Sequence, residues 1–134
     1  MDELEPLLTK LGYSPMWLEY GLIDEELLRQ QSNQFDASHD KHTEHYRYKA
    51  FQSFLDRRAI LDDVSLDMYI HLAQLDEDPT MRQSALILLV RYPHLTETQL
   101  ARLGKHPAFA SLVVQRSIRR IRALRKLPPT DTSH

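Results

Sequence analysis

LAQLDEDP (residues 72–79) returns as LARLGKHP (residues 100–107), so the pattern L-A-x-L-x-x-x-P recurs at a spacing of about 28 residues. Recurrence at this length marks a helical repeat, in which each unit buries its apolar face only against its neighbours. In both copies the proline stands where a new helix can begin, because its fixed φ suits the first helical turn and its missing N–H would have no intrahelical partner there. The pattern speaks of shape rather than of chemistry.

Working outward, the apolar residues recur at steps of three and four, strand-like alternation is missing, and only three glycines occur, so the whole chain reads as helix. A short helix over 3–11 is closed by Gly12, and Ser14-Pro15 is a cap followed by a proline at the first helical position. Gly21 ends that second helix, and Asp24 caps a third that breaks at Ser32-Asn33. Over 41–59 the residues Tyr48, Phe51, Leu55 and Ala59 form one stripe. Ser65 is the expected cap of the next helix, with Met68, Leu72 and Leu75 as its buried edge. Asp78-Pro79 opens a further helix with Met81, Ala85, Leu88, Leu89 and Tyr92 inward, and Pro93 stops it. Thr96 and Gln99 have the spacing of a capping box for a short helix ending at Gly104. Pro107 is expected to start the last helix, with Ala110, Val114, Ile118, Ile121 and Leu124 toward the core.

The stretch HLTETQLARLGKHPAFASLVVQRSI (94–118) resembles a leucine-rich repeat variant unit, and the pattern over about 62–127 is similar to HEAT-like repeats. The resemblance implies an all-α, right-handed α–α superhelix, a solenoid of stacked helix pairs. It also implies binding of a protein partner most often, nucleic acid occasionally, and catalysis seldom. Some variant-repeat proteins carry an iron–sulfur cluster, but this chain has no cysteine to ligate one. One helical repeat domain is expected over 1–127, with 1–40 as an N-terminal helical cap and 128–134 as a tail.

Composition bounds the function. The 134 residues are 42% apolar and 27% charged, ordinary values for one folded domain. The absence of cysteine removes disulfides, thiolate-bound zinc and thiol catalysis. MDELEPLL (1–8) has acids where a secretory leader has bases, and no apolar run approaches the roughly 20 residues that span a bilayer, so a cytoplasmic setting without a membrane partner is expected.

The net charge of −2 hides a division. Residues 1–78 hold 17 acids against 7 Lys and Arg, whereas residues 79–134 hold 2 acids against 10. The last helix carries Arg116, Arg119, Arg120, Arg122, Arg125 and Lys126, with no acid from 108 to 130. At 100° per residue all but Arg125 are read as lying opposite Ile121, Arg125 being at the edge of the apolar stripe. Such a face is a solvated helix surface or a contact for an acidic partner, since arginine is favoured at interfaces. Phosphates are the alternative ligand, although Phe109 is the only aromatic nearby to stack on a base. The acids Asp62, Asp63 and Asp67, like Asp24, Glu25 and Glu26, cluster near helix starts, where carboxylates cap amides and suit the dipole. They also form a candidate surface for a basic partner, as when a small bacterial immunity protein blocks a cationic nuclease toxin.

DASHDKHTEHY (36–46) spaces His39, His42 and His45 at three, near enough on a helix for neighbours to share a zinc or nickel ion. The H-E-x-x-H spacing is missing, and three histidines in a polar stretch are ordinarily just hydrated. The expectation is therefore a non-enzymatic protein-interaction module without a cofactor, of inhibitor or immunity type, that uses Arg116, Arg119, Arg120, Arg122 and Lys126 or Asp62, Asp63 and Asp67. A nucleic-acid-binding repeat is the alternative, and a metal-dependent enzyme around the histidines the third reading.

Overall fold

The computed structural model describes residues 3–36 and 42–127. Its helices are α1 (Glu5–Leu11), α2 (Pro15–Glu19), α3 (Glu25–Gln34), α4 (Glu44–Asp56), α5 (Asp63–Ala73), α6 (Pro79–Val90), α7 (Glu97–Lys105) and α8 (Leu112–Leu124), with a 3₁₀ turn (Pro107–Phe109) before α8. The fold is all-α, with no strand among the described residues.

Local chemistry sets most of the boundaries. Ser14, Asp24, Asp78 and Thr96 each accept a hydrogen bond from a backbone N–H of the helix they precede, and the Gln99 side chain returns a bond to Thr96 N to complete the capping box. These bonds satisfy amides that have no intrahelical partner. The cap of α5 is Asp62 rather than Ser65, whose N–H it receives at 2.7 Å. Gly104 lies inside α7 and does not end it. Pro107 starts the 3₁₀ turn instead of α8, which Ser111 caps, because Phe109 plunges into the core and bends the chain before the helix can begin.

In the row α4, α6, α8 each helix packs on the next, while α5 lies against α6, α7 against α8, and α1 joins both α3 and α4. One cluster of buried apolar side chains extends from Leu4 to Ile118. Leu72, Leu100 and Leu103 are fully buried, and Leu75 is half-buried. Met81, Ala85, Leu88 and Leu89 of α6 are buried as the sequence suggests, as is Tyr92 just after the helix, and Leu86 and Val90 are buried as well. Met68, Ala59, Ala110 and Leu124 are exposed, contrary to expectation: Met68 faces away from Leu66 and Ile70, α4 stops before Ala59, Ala110 belongs to the turn before α8, and Leu124 lies off the inward face that Ile118, Arg122 and Arg125 define. Trp17 is enclosed between Tyr13 and Phe51, and its indole Nε1–H donates to the Leu72 carbonyl at 2.8 Å, fixing α2 to the end of α5.

An ion pair is buried in this fold. The Arg47 guanidinium on α4 donates to both carboxylate oxygens of Asp76, at 2.6 and 3.1 Å, with both side chains almost fully enclosed. Its remaining capacity goes to the Leu11 carbonyl and Thr43 Oγ1, both at 2.7 Å. Asp76 in turn accepts from Asp78 N at 3.0 Å, and Arg82 donates to its carbonyl. This knot joins the end of α1, the start of α4 and the α5–α6 turn. Beside it the Tyr13 hydroxyl donates to Gln31 Oε1 at 2.6 Å while Gln31 Nε2 donates to the Tyr46 carbonyl, and burial pushes the phenol pKa upward.

Gly12 closes α1 at φ +78°, a left-handed conformation, and a Cβ there would lie 2.5 Å from Arg47 Nη1. Gly21 has φ +79° with open space around it. Gly21→Ala is therefore expected to cost only left-handed strain, about 1–2 kcal/mol. Gly12→Ala carries the same strain and also displaces the guanidinium, so denaturant unfolding should show a clearly larger loss; equal losses would mean that the knot adds nothing to stability. Leu72→Ala and Leu100→Ala, which each open a cavity at a fully buried side chain, should each cost about 2–5 kcal/mol. Leu112→Ala, at a side chain 79% exposed, should stay within about 0.5 kcal/mol by the same measurement.

Candidate interaction surface

Many acids of the N-terminal half are engaged within the chain, whereas Glu5, Glu19, Glu26, Asp56 and Glu77 are exposed and make no ion pair among the described residues. Asp62 caps α5, and the amides it accepts, Ser65 N foremost, hold its carboxyl below the usual carboxylate range. Asp63 accepts from Gln99 Nε2 at 3.0 Å and lies 3.8 Å from Arg102, which pairs with Asp67 at 2.7 Å. Asp24 and Asp78 are caps, Asp76 is in the buried knot, and Glu3 and Glu25 share Arg29. Of the three acids singled out in the sequence, Asp63 and Asp67 thus join α5 to α7, and Asp62 caps α5.

The cations of the C-terminal half differ. Arg116, Arg119 and Arg120 are exposed on α8, and Arg91 is exposed at the end of α6. Among the described residues none of the four makes an ion pair. Arg122 does not join them, which corrects the sequence reading. It lies four residues from Ile118, hence on the buried stripe, and is itself buried. Arg125 also turns inward, donating to the carbonyls of Tyr92, Pro93 and Leu95. The Tyr92 hydroxyl donates to the Arg58 carbonyl at 2.7 Å, so the C-terminal ends of α4, α6 and α8 are brought to one side. Lys126 is exposed, and its left-handed backbone at φ 58° closes α8 by placing Lys126 N on the Ala123 carbonyl and Leu127 N on that of Arg122.

Between α6 and α8 runs a groove of about 410 Å³ lined by Ile87, Arg91, Ser117, Arg120, Ile121 and Leu124. Neither helix carries an acid. Leu124 is 70% exposed at the rim, and Leu112 and Val113 are exposed near the other end of α8. Sequence reasoning missed the part of Arg91, a lone charge after an apolar run, although the absence of acids from both helices was there to be read. Phe109 is fully buried and Tyr92 nearly so, which leaves no exposed aromatic among the groove residues.

A second hollow, of about 280 Å³, is lined by Thr9, Gly12, Tyr13, Ser14, Pro15, Leu75 and Glu77. The Ser14 hydroxyl there accepts from Met16 N and the Tyr13 hydroxyl is engaged with Gln31, so both are committed to the fold. His39 lies outside the described residues. His42 is exposed before the start of α4, with Nδ1 3.7 Å from Glu44, and His45 stacks on Tyr46 at 4.1 Å between ring centroids. Among the described residues no three His, Asp or Glu side chains are grouped to hold a metal ion, and no helix is long and apolar enough to cross a membrane. Compared with known protein families, curated proteins and solved structures, the chain matches none.

The lowered pKa of Asp62 gives a pH test of its role as a cap. A carboxyl depressed in the folded state contributes stability that is present above its unfolded value, near 3.9, and is lost as pH falls through the folded value. Asp62→Ala should therefore lower the melting temperature at neutral pH, with the difference from the parent protein narrowing steadily as pH falls below about 4. A gap that stays constant down to pH 2 would show that the carboxylate is not the cap.

Proposed function

We propose that this chain is a protein-interaction module that holds an acidic partner on its α6–α8 side. The observation that carries the proposal is that Arg91, Arg116, Arg119 and Arg120 are exposed and make no ion pair among the described residues, on two helices that carry no acid and expose aliphatic side chains. Exposed arginines beside exposed Leu112, Val113 and Leu124 supply the mixture of charge and apolar contact found in protein interfaces. The scaffold in this reading is a HEAT-like, right-handed stack of helix pairs; the row α4, α6, α8, with α5 and α7 lying against it, supports the stacking. A cytoplasmic, non-enzymatic binder without a cofactor, of inhibitor or immunity type, belongs to this reading. Capture of a basic partner is the less favoured form of it, because Asp62, Asp63 and Asp67 are occupied by a cap, Gln99 and Arg102.

Nucleic acid is the second reading, favoured by the same arginines and weakened by the lack of an exposed stacking aromatic beside them. Salt separates the two. About four phosphate contacts would make affinity fall steeply with ionic strength, whereas a protein contact with an apolar centre persists. In pull-downs from native extract, the partner should stay bound at about 150 mM salt and be lost when Arg116→Glu, Arg119→Glu and Arg120→Glu are combined, with circular dichroism unchanged. Submicromolar binding of DNA or RNA at that salt, removed by the same triple change, would replace the protein reading with the nucleic-acid one.

A further inference from the structure

We infer that the α6–α8 groove receives a segment of the partner protein that presents a carboxylate beside an aliphatic side chain, the carboxylate between Arg91 and Arg120 and the aliphatic group on Ile87, Ile121 and Leu124. The inference rests on the protein-interaction reading and names the chemistry of the partner.

Three features lead to it. The groove is of a size that takes a few side chains rather than a whole domain, within the usual range for small binding sites. Its apolar surface comes from two isoleucines and a leucine that is 70% exposed, an arrangement that leaves aliphatic surface in water unless something covers it. Its charge is of one sign, since α6 and α8 carry no acid and neither Arg91 nor Arg120 has an internal partner among the described residues. Cations beside helix C-termini are commonly explained as partners for the last carbonyls. Here Arg125 performs that service for the carbonyls after α6, so Arg91 and Arg120 remain open to a ligand. Guanidinium groups bind carboxylates through paired, charge-assisted hydrogen bonds, which gives the site direction as well as charge. A phosphate chain would meet the same arginines but would leave Ile87, Ile121 and Leu124 uncovered.

The test uses two labelled peptides of about 15 residues, long enough for four helical turns. They carry the same leucines three and four apart and differ only in having Glu or Gln on the adjoining positions; an oligothymidine of similar length is the third probe. Fluorescence anisotropy at about 150 mM salt compares the parent protein with Arg91→Glu combined with Arg120→Glu, and separately with Leu124→Asp, an exposed position that tolerates the change. The Glu peptide should bind saturably, the Gln peptide about tenfold more weakly or worse, and both variants should lose about tenfold or more. Equal binding of the two peptides, unchanged binding by the variants, or no saturation below about 1 mM overturns the groove assignment. If a partner captured from extract still depends on Arg116 and Arg119 after such a result, the interaction module stands and only the groove falls. Oligothymidine binding tighter than the Glu peptide, and lost in the double variant, overturns both.

Discussion

The buried pair of Arg47 and Asp76 is the constraint that the other contacts presuppose. Removing two charges from water costs several kcal/mol for each, and that cost is offset only where every remaining donor and acceptor is met. Here Leu11 and Thr43 accept from the guanidinium and Asp78 N donates to the carboxylate, all three at helix ends or turns, while Arg82 holds the Asp76 backbone carbonyl. The positions of α1, α4 and the α5–α6 turn are therefore set together. Gly12 has no side chain because the guanidinium passes where a Cβ would stand. The pair also explains why the N-terminal helices are not a loose appendage: Trp17 and Tyr13 reach the same region, one bound to the Leu72 carbonyl and the other to Gln31.

A second set of bonds works at the other side of the molecule. Tyr92 ties the loop after α6 to the loop after α4, and Arg125 ties the end of α8 to the loop after α6. These bonds hold the C-terminal ends of α4, α6 and α8 in register, which opposes sliding of α8 along α6 at the groove. Rigidity of this kind reduces the ordering cost of binding, which is where much of the affinity of a small interface is otherwise lost.

Features coded within one turn of chain were legible in the sequence. Ser14, Asp24, Asp78, Thr96 with Gln99, and Gly12 each mark a boundary by chemistry that acts over two to four residues. Leu72 and Leu100 were legible as core because repetition reports packing. What escaped depends on contacts between distant segments. Arg47 and Asp76 stand 29 positions apart with no shared motif. The late start of α8 follows from where Phe109 finds room in the core. Arg122 is the instructive exception, for its place on the Ile118 stripe follows from spacing alone, and grouping it with its neighbours by charge obscures this. Of the proposed site, the excess of arginine on α8 was visible and the groove was not, since Arg91 joins it only through helix packing.

The two halves of the chain also show why formal charge is a poor map of a surface. Counted along the sequence, the acidic half has the larger imbalance. A carboxylate that caps a helix still carries its charge, but its lone pairs are occupied by amides and its position is fixed. One paired with arginine is neutralised over a short distance. Asp24, Asp62 and Asp78 are of the first kind, and Asp63, Asp67, Asp76, Glu3 and Glu25 of the second. Arg91, Arg116, Arg119 and Arg120 have no such internal counterpart among the described residues, and the groove that Arg91 and Arg120 line carries exposed aliphatic surface. What a partner meets on the α6–α8 side is thus decided by local pairing rather than by the count along the chain: cations without an internal partner among the described residues, beside aliphatic surface.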